Sequence, residues 1–261
     1  MNYINTRLSE IKQNGFDLDL GNLINESFEN YKKIALIAGL ALTIIILLLM
    51  IAAIFGMGYF IDFENFSEEQ LVMDFNTFTP VQIAIYFGAT ALFAMLFAPF
   101  TAGLIKVAHD VETKDEVSFS NIFDCYKAIY LKDLMFSSFI IAVISSCITV
   151  GFQMIHLEFV GTILNYIIGF ISCLTIPLIV FGRLNAIDAI LNSIMVVSKQ
   201  PLIIFLALLL AVIGAFVGLI AFCLGIFFTL PYLYSMYYVI YKNSVGFDEN
   251  TELEQIGTFD N

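Results

Sequence analysis

Residues 34–60 read IALIAGLALTIIILLLMIAAIFGMGYF, without a single Asp, Glu, Lys or Arg. A helix that crosses a hydrocarbon core of roughly 30 Å needs about 20 mostly apolar residues. One Lys or Asp at the centre of such a helix costs about 2.5–3.5 kcal/mol, against about 0.3–0.6 kcal/mol gained per Leu or Ile. A run this long and this free of charge reads as a membrane span. Uncharged stretches of spanning length recur at 75–105, 134–157, 159–182 and 200–241. The last would extend roughly 60 Å as one helix at about 1.5 Å per residue, about twice the hydrocarbon thickness. It is expected to fold back on itself, with Gly214 and Gly218 as natural bending points and the turn there or a few residues later. The expected fold is therefore all-α: a polytopic integral membrane protein with six transmembrane helices.

Composition agrees. The 261 residues are 60% hydrophobic and only 13% charged, against roughly 25% charged in soluble domains. A net charge of −12 and the lack of a basic stripe argue against a nucleic-acid partner. Of the four cysteines, Cys147, Cys173 and Cys223 lie in apolar runs and Cys125 in a connecting segment, with no CxxC spacing. They are expected to fill space between helices. Residues 1–33 mix charges of both signs and hold no early apolar core, so the first run is expected to be an uncleaved span rather than a signal peptide.

Charge placement orients the chain. The eleven basic residues fall before the first span (Arg7, Lys12, Lys32, Lys33), between the second and third (Lys106, Lys114, Lys127, Lys132), between the fourth and fifth (Arg183, Lys199) and after the sixth (Lys242). The connection at 61–80 is acidic and carries no basic residue, and the next turn on that side carries only Glu158. The positive-inside rule then places both termini in the cytoplasm, in a plasma (inner) membrane protein. Three domains follow: 1–33, a cytoplasmic segment with an amphipathic helix; 34–242, the transmembrane domain; and 243–261, an acidic cytoplasmic tail expected to be disordered. Truncation at Gly246 is expected to leave folding nearly unchanged.

Segments before the first, third and fifth spans, at 22–33, 119–127 and 189–199, place apolar residues on one helical face and end in Lys. They are expected to lie along the cytoplasmic leaflet, the plainer reading being ragged starts of the spans they precede. Each is followed by two spans, the second carrying a proline: Pro99, Pro177 or Pro231. Three repeated helix hairpins would explain this pattern, with the prolines shaping the bundle.

Chemical motifs are sparse. Ser137, Ser138, Ser145 and Ser146 suit close helix packing, and Gly214 and Gly218 have GxxxG spacing. Asn165 is the one strong amide within a span and is expected to pair with another helix. Asp, Glu, Lys and Arg are missing from mid-span positions, which argues against proton- or ion-coupled transport. The two histidines, His109 and His156, are expected at opposite membrane faces and cannot share a metal, with His109 solvated in a loop. Tyr232, Tyr234, Tyr237, Tyr238 and Tyr241 read as an interfacial aromatic belt. The single charged constellation that can be assembled is Asp110, Asp133, Arg183 and Asp188, expected to be an ion pair fixing adjacent loops. It lacks a general base with a reason for a tuned pKa. No catalytic, cofactor-binding or metal residue is assigned.

Ser27-Phe28 through Lys33, Ala98-Pro99 with Gly103, Ala186–Lys199, and Thr229-Leu230-Pro231 running to Tyr241 carry a resemblance over residues 22–242. The chain resembles a group of bacterial six-helix membrane proteins. These are similar to the membrane domain of some glycerophosphodiester phosphodiesterases and to YciC-like proteins of unknown function. The resemblance implies the fold. The phosphodiesterase domain has no counterpart here, so its catalysis does not carry over. The expectation is a non-catalytic membrane protein without cofactors, a scaffold or lipid-associated partner in the envelope. Its partners would be the lipid bilayer and another membrane protein or a second copy of the chain. The alternative is a passive or partner-dependent transporter of an apolar or lipid-like solute.

Overall fold

In a computed structural model, residues 3–60, 78–114, 117–220 and 225–247 are described. The acidic connection at 61–77, Cys223 and the tail at 248–261 lie outside them. The described residues are helical throughout their regular structure, with no strand. Among the described residues, four helices are long and apolar enough to cross a membrane, or five if one sharply bent pair counts as a span.

Helix α1, Tyr3–Asn14, was not legible as an element of the bundle. Ile4, Leu8 and Ile11 recur on one helical face and are buried. Gly15, at φ +73°, ends the helix in the left-handed region, with its N–H donating to the Ile11 carbonyl at 2.9 Å. The Arg7 guanidinium donates to the Ser244 carbonyl near the end of the chain. Lys199 and Gln200 donate to the carbonyls of Lys12 and Phe16.

Helix α2, Leu20–Phe60, starts where Asp19 Oδ1 accepts the Asn22 N–H at 2.6 Å. It runs unbroken through the expected interfacial segment at 22–33 into the apolar run. The reason is one continuous buried stripe: Leu23, Ser27, Asn30, Ile34, Ala38 and Ala41. With that stripe packed on neighbouring helices and no Gly or Pro at the junction, nothing bends the chain there. The segment is the start of the span, not a separate helix.

Helix α3, Pro80–Thr113, opens with a capping box between Thr79 and Gln82 and a proline in its first turn. It continues past the expected end at residue 105, so Lys106, His109 and Asp110 are helical rather than in a loop. Pro99 lies inside it, and Tyr126 donates to the Leu96 carbonyl one turn earlier. A 3-10 segment, Phe119–Tyr126, packs back on α3 and is a separate element, as expected. Gly103 makes this contact possible, because any Cβ there would collide with the Ile122 backbone carbonyl.

Helix α4, Ala128–Met154, pairs with α3, and the Thr90 and Ser146 hydroxyls meet at 3.1 Å. Helix α5, Glu158–Ile171, and α6, Thr175–Val180, make a broken fourth span, since Pro177 has no N–H to continue the ladder. The break is satisfied from elsewhere. The buried Ser193 hydroxyl donates to the Ile171 carbonyl at 2.9 Å and accepts the Leu174 N–H at 3.1 Å. Ser193 belongs to α7, Ala186–Lys199, which is bent by 100° from α8, Pro201–Val217.

Gly214 lies within α8, and α8 ends at Gly218, so the chain reverses beyond both glycines. The return comprises α9, Gly225–Thr229, and α10, Pro231–Ser244. Gly214 faces the Tyr232 ring and Gly218 faces the Gly225 backbone, and the Thr229 hydroxyl donates to the Ala215 carbonyl. The GxxxG face is therefore used within the chain.

Candidate functional site

Polar groups concentrate at one end of the bundle, where α2, α3 and α10 converge. Asn30 is 1% exposed. Its Nδ2 donates to the Ala108 carbonyl at 2.6 Å and to Glu112 Oε1 at 3.0 Å. The buried Ser235 hydroxyl is 2.7 Å from Asn30 Oδ1 and 2.8 Å from the Ser27 carbonyl. The other Glu112 oxygen accepts from the Tyr238 hydroxyl and from Lys242 Nζ, both at 2.9 Å. Lys242 also pairs with Glu26 at 3.4 Å, and Asn243 donates to the same Glu26 oxygen.

A second cluster adjoins it on α3. Asp110 is 2% exposed and pairs with Lys106 and Lys114, each at 2.9 Å, and with His109 Nδ1 at 3.4 Å. Lys106 reaches on to Asp124 at 3.3 Å, and Lys127 binds the other Asp124 oxygen at 2.7 Å. Partial burial tends to raise the Asp124 pKa, but Lys127 and Lys106 outweigh it and hold the carboxyl below its ordinary value. Beside it, burial pushes the Cys125 thiol up to about 12, so it stays protonated and inert at neutral pH.

The His109 ring is packed rather than solvated. Its centroid lies 4.9 Å from Phe247, 5.2 Å from Phe181 and 5.9 Å from Tyr238. Tyr238 and Tyr241 are each 1% exposed. They face the interior because α10 is surrounded by α2, α3 and α8, so they do not form a belt toward lipid. Phe247 packs on both, and Ser244 and Val245 are buried. The chain is thus anchored beyond residue 243, where a solvated tail was expected.

The expected constellation does not assemble. Asp110 is taken by lysines of its own helix. Asp133 Oδ1 accepts the Ala186 N–H at 3.1 Å, and Asp188 accepts from Asn185 at 2.7 Å. Both acids serve the N-terminus of α7, where unpaired N–H groups and the helix dipole favour negative charge. Arg183 is exposed, sits at φ +50° and makes no ion pair among the described residues. Asn165 bridges helices as expected, donating to Thr149 Oγ1 at 2.9 Å. Cys125 is buried, but Cys147 is exposed.

Asn30, Glu112, Ser235 and Tyr238 carry the largest network among the described residues; Asn30, Glu112 and Ser235 were not singled out by sequence, and Tyr238 was read as part of an interfacial belt. A signal existed: Ser27 and Asn30 occupy an otherwise apolar helical stripe, where polar residues must find internal partners. The acid and amide groups of this end are engaged by partners within the chain, which suits fastening helices. Among the described residues, no three His, Cys, Asp or Glu side chains gather as a metal centre would require.

The class of protein defined by this architecture is an all-helical one with several apolar helices, compatible with a multi-pass membrane protein. No family model, curated protein or solved structure matches the chain.

Proposed function

We propose that the chain is a non-catalytic, six-span protein of the plasma (inner) membrane, with both termini cytoplasmic. On this reading it acts as an envelope scaffold or lipid-associated partner. Its six spans belong to three related hairpins, and its relatives are the six-helix membrane proteins it resembles. The observation that carries the reading is the use made of two carboxylates, the buried Asp110 and the part-exposed Glu112. Asp110 and Glu112 are bound by lysines, an amide and a phenol of the same chain. Meanwhile Leu36, Leu48, Val81, Ile85, Phe159 and Leu202 point outward. Polar chemistry is spent on fastening helices, and the apolar exterior suits lipid.

Discontinuous helices also occur in transporters, where freed backbone lines a solute site. Here the Ile171 carbonyl and the Leu174 N–H at the α5–α6 break are taken by Ser193, which favours the scaffold over passive transport of an apolar solute.

Purification in native-lipid discs tests this: stoichiometric co-eluting lipid or protein is expected. Protein-dependent flux of an apolar dye across reconstituted vesicles, with nothing co-eluting, would favour the transporter. Turnover of a lipid that is lost in a folded Asp110→Asn variant would overturn the non-catalytic reading. For topology, a cysteine placed at Ser67 in a cysteine-free background should label only from outside, and one at Asp248 only from inside.

A further inference from the structure

We propose that α7 is an in-plane binding element for anionic phospholipids, with acidic headgroups held at cationic sites bracketing its two ends. This rests on the membrane reading above. The bend between α7 and α8 is 100°. If α8 runs along the membrane normal, α7 lies along the surface as a rod about 20 Å long.

The two faces of α7 differ. Ala186, Ala189, Ser193, Val196 and Val197 are buried against the bundle. On the other side Ile187 and Leu191, one turn apart, are 54% and 58% exposed. An exposed aliphatic ridge on an otherwise packed helix is suited to the boundary between headgroups and acyl chains.

Charge identifies the lipid. At the start of α7 stand Arg183 and Lys132, the latter adjacent to the Asp133 that caps the helix. At its end Lys199 donates to the Lys12 carbonyl at 2.7 Å, bringing those two cations together. All four are exposed, and none is ion-paired among the described residues. Lys106, Lys114, Lys127 and Lys242, by contrast, are neutralised by carboxylates. The acids near α7 hydrogen-bond to neutral donors, Asp133 to the Ala186 N–H, Asp188 to Asn185 and Asp17 to Gln200, and none of them forms an ion pair with the four cations. A net-acidic protein thus keeps unpaired cations at both ends of one amphipathic helix. Lysines and arginines near a membrane surface attract anionic lipids, and neutral lipids do not satisfy them.

The chain contains no Trp, so Leu191→Trp makes a sole fluorophore on the exposed ridge. The full chain carrying it is reconstituted in phosphatidylcholine vesicles holding a minor fraction of either brominated phosphatidylglycerol or brominated phosphatidylcholine. Bromine quenches only on contact. Quenching by the anionic lipid should exceed that by the zwitterionic one by about twofold or more. A variant that also carries Lys12→Gln, Lys132→Gln, Arg183→Gln and Lys199→Gln should lose the preference while remaining quenched. Leu209→Trp, on α8, reports the membrane reading independently. Equal quenching of Leu191→Trp by both lipids overturns the proposal, as does a preference that survives neutralisation. Quenching of Leu209→Trp without quenching of Leu191→Trp overturns it and leaves the membrane reading standing. Quenching at neither site overturns both.

Discussion

Asn30→Ala removes the hub of the network joining α2, α3 and α10. The side chain donates to the Ala108 carbonyl and Glu112 Oε1 and accepts from Ser235. Neutral hydrogen bonds contribute about 0.5–1.5 kcal/mol net, and bonds to a charged group about 1.5–3 kcal/mol. Ser235 keeps the Ser27 carbonyl, and Glu112 keeps Tyr238 and Lys242, so part of the network survives. The expected loss is about 4 kcal/mol, the sum of one charge-assisted and two neutral bonds in the middle of their ranges. Because Asn30 is 1% exposed, water cannot replace the amide without rearrangement. Thermal unfolding in mild detergent, read by a thiol-reactive dye in a background where Cys147, Cys173 and Cys223 are replaced by Ser, suits the assay because Cys125 is buried until the fold opens. Ser235→Ala alone should cost less, and the double variant should show a coupling of at least about 0.5 kcal/mol, as residues in one network do. Strict additivity of the two substitutions, or an Asn30→Ala protein as stable as the parent, would refute the reasoning.

Gly103→Ala should unfold at markedly lower temperature because its Cβ meets the Ile122 backbone. Gly169→Ala, where the space is open, should be neutral or stabilising by up to about 1 kcal/mol. Asp124 has a folded pKa below the ordinary 3.8. Its stabilising contribution is therefore present above about pH 4 and lost as pH falls through the folded value. The difference in melting temperature between the parent and Asp124→Asn should shrink on acidification below pH 4, and a constant difference would contradict the assignment. Phe247→Ala should cost about 1–3 kcal/mol through lost contact with His109, Phe181, Tyr238 and Tyr241. Truncation after Phe247 should be the harmless one, measured in the same unfolding assay. Arg183→Gly should stabilise by about 1 kcal/mol by relieving the left-handed backbone. Arg183→Ala should be near neutral, and a large loss with Ala would restore the ion-pair expectation.

Length of apolar run and absence of charge are local properties, and they alone determined that this chain is helical and carries helices long and apolar enough to cross a membrane. The same is true of the fold-back after α8, since one helix of that length would overshoot the membrane. Helix continuity was not local. Residues 22–33 look like an independent amphipathic segment until Ser27 and Asn30 find partners on α10 and α3. Asp133 and Asp188 look like partners for Arg183 until the N-terminus of α7 claims them. Residue type told that each buried charge or amide must be satisfied. Only the tertiary structure decided by which group, because that choice depends on which helix ends the packing brings within about 3 Å.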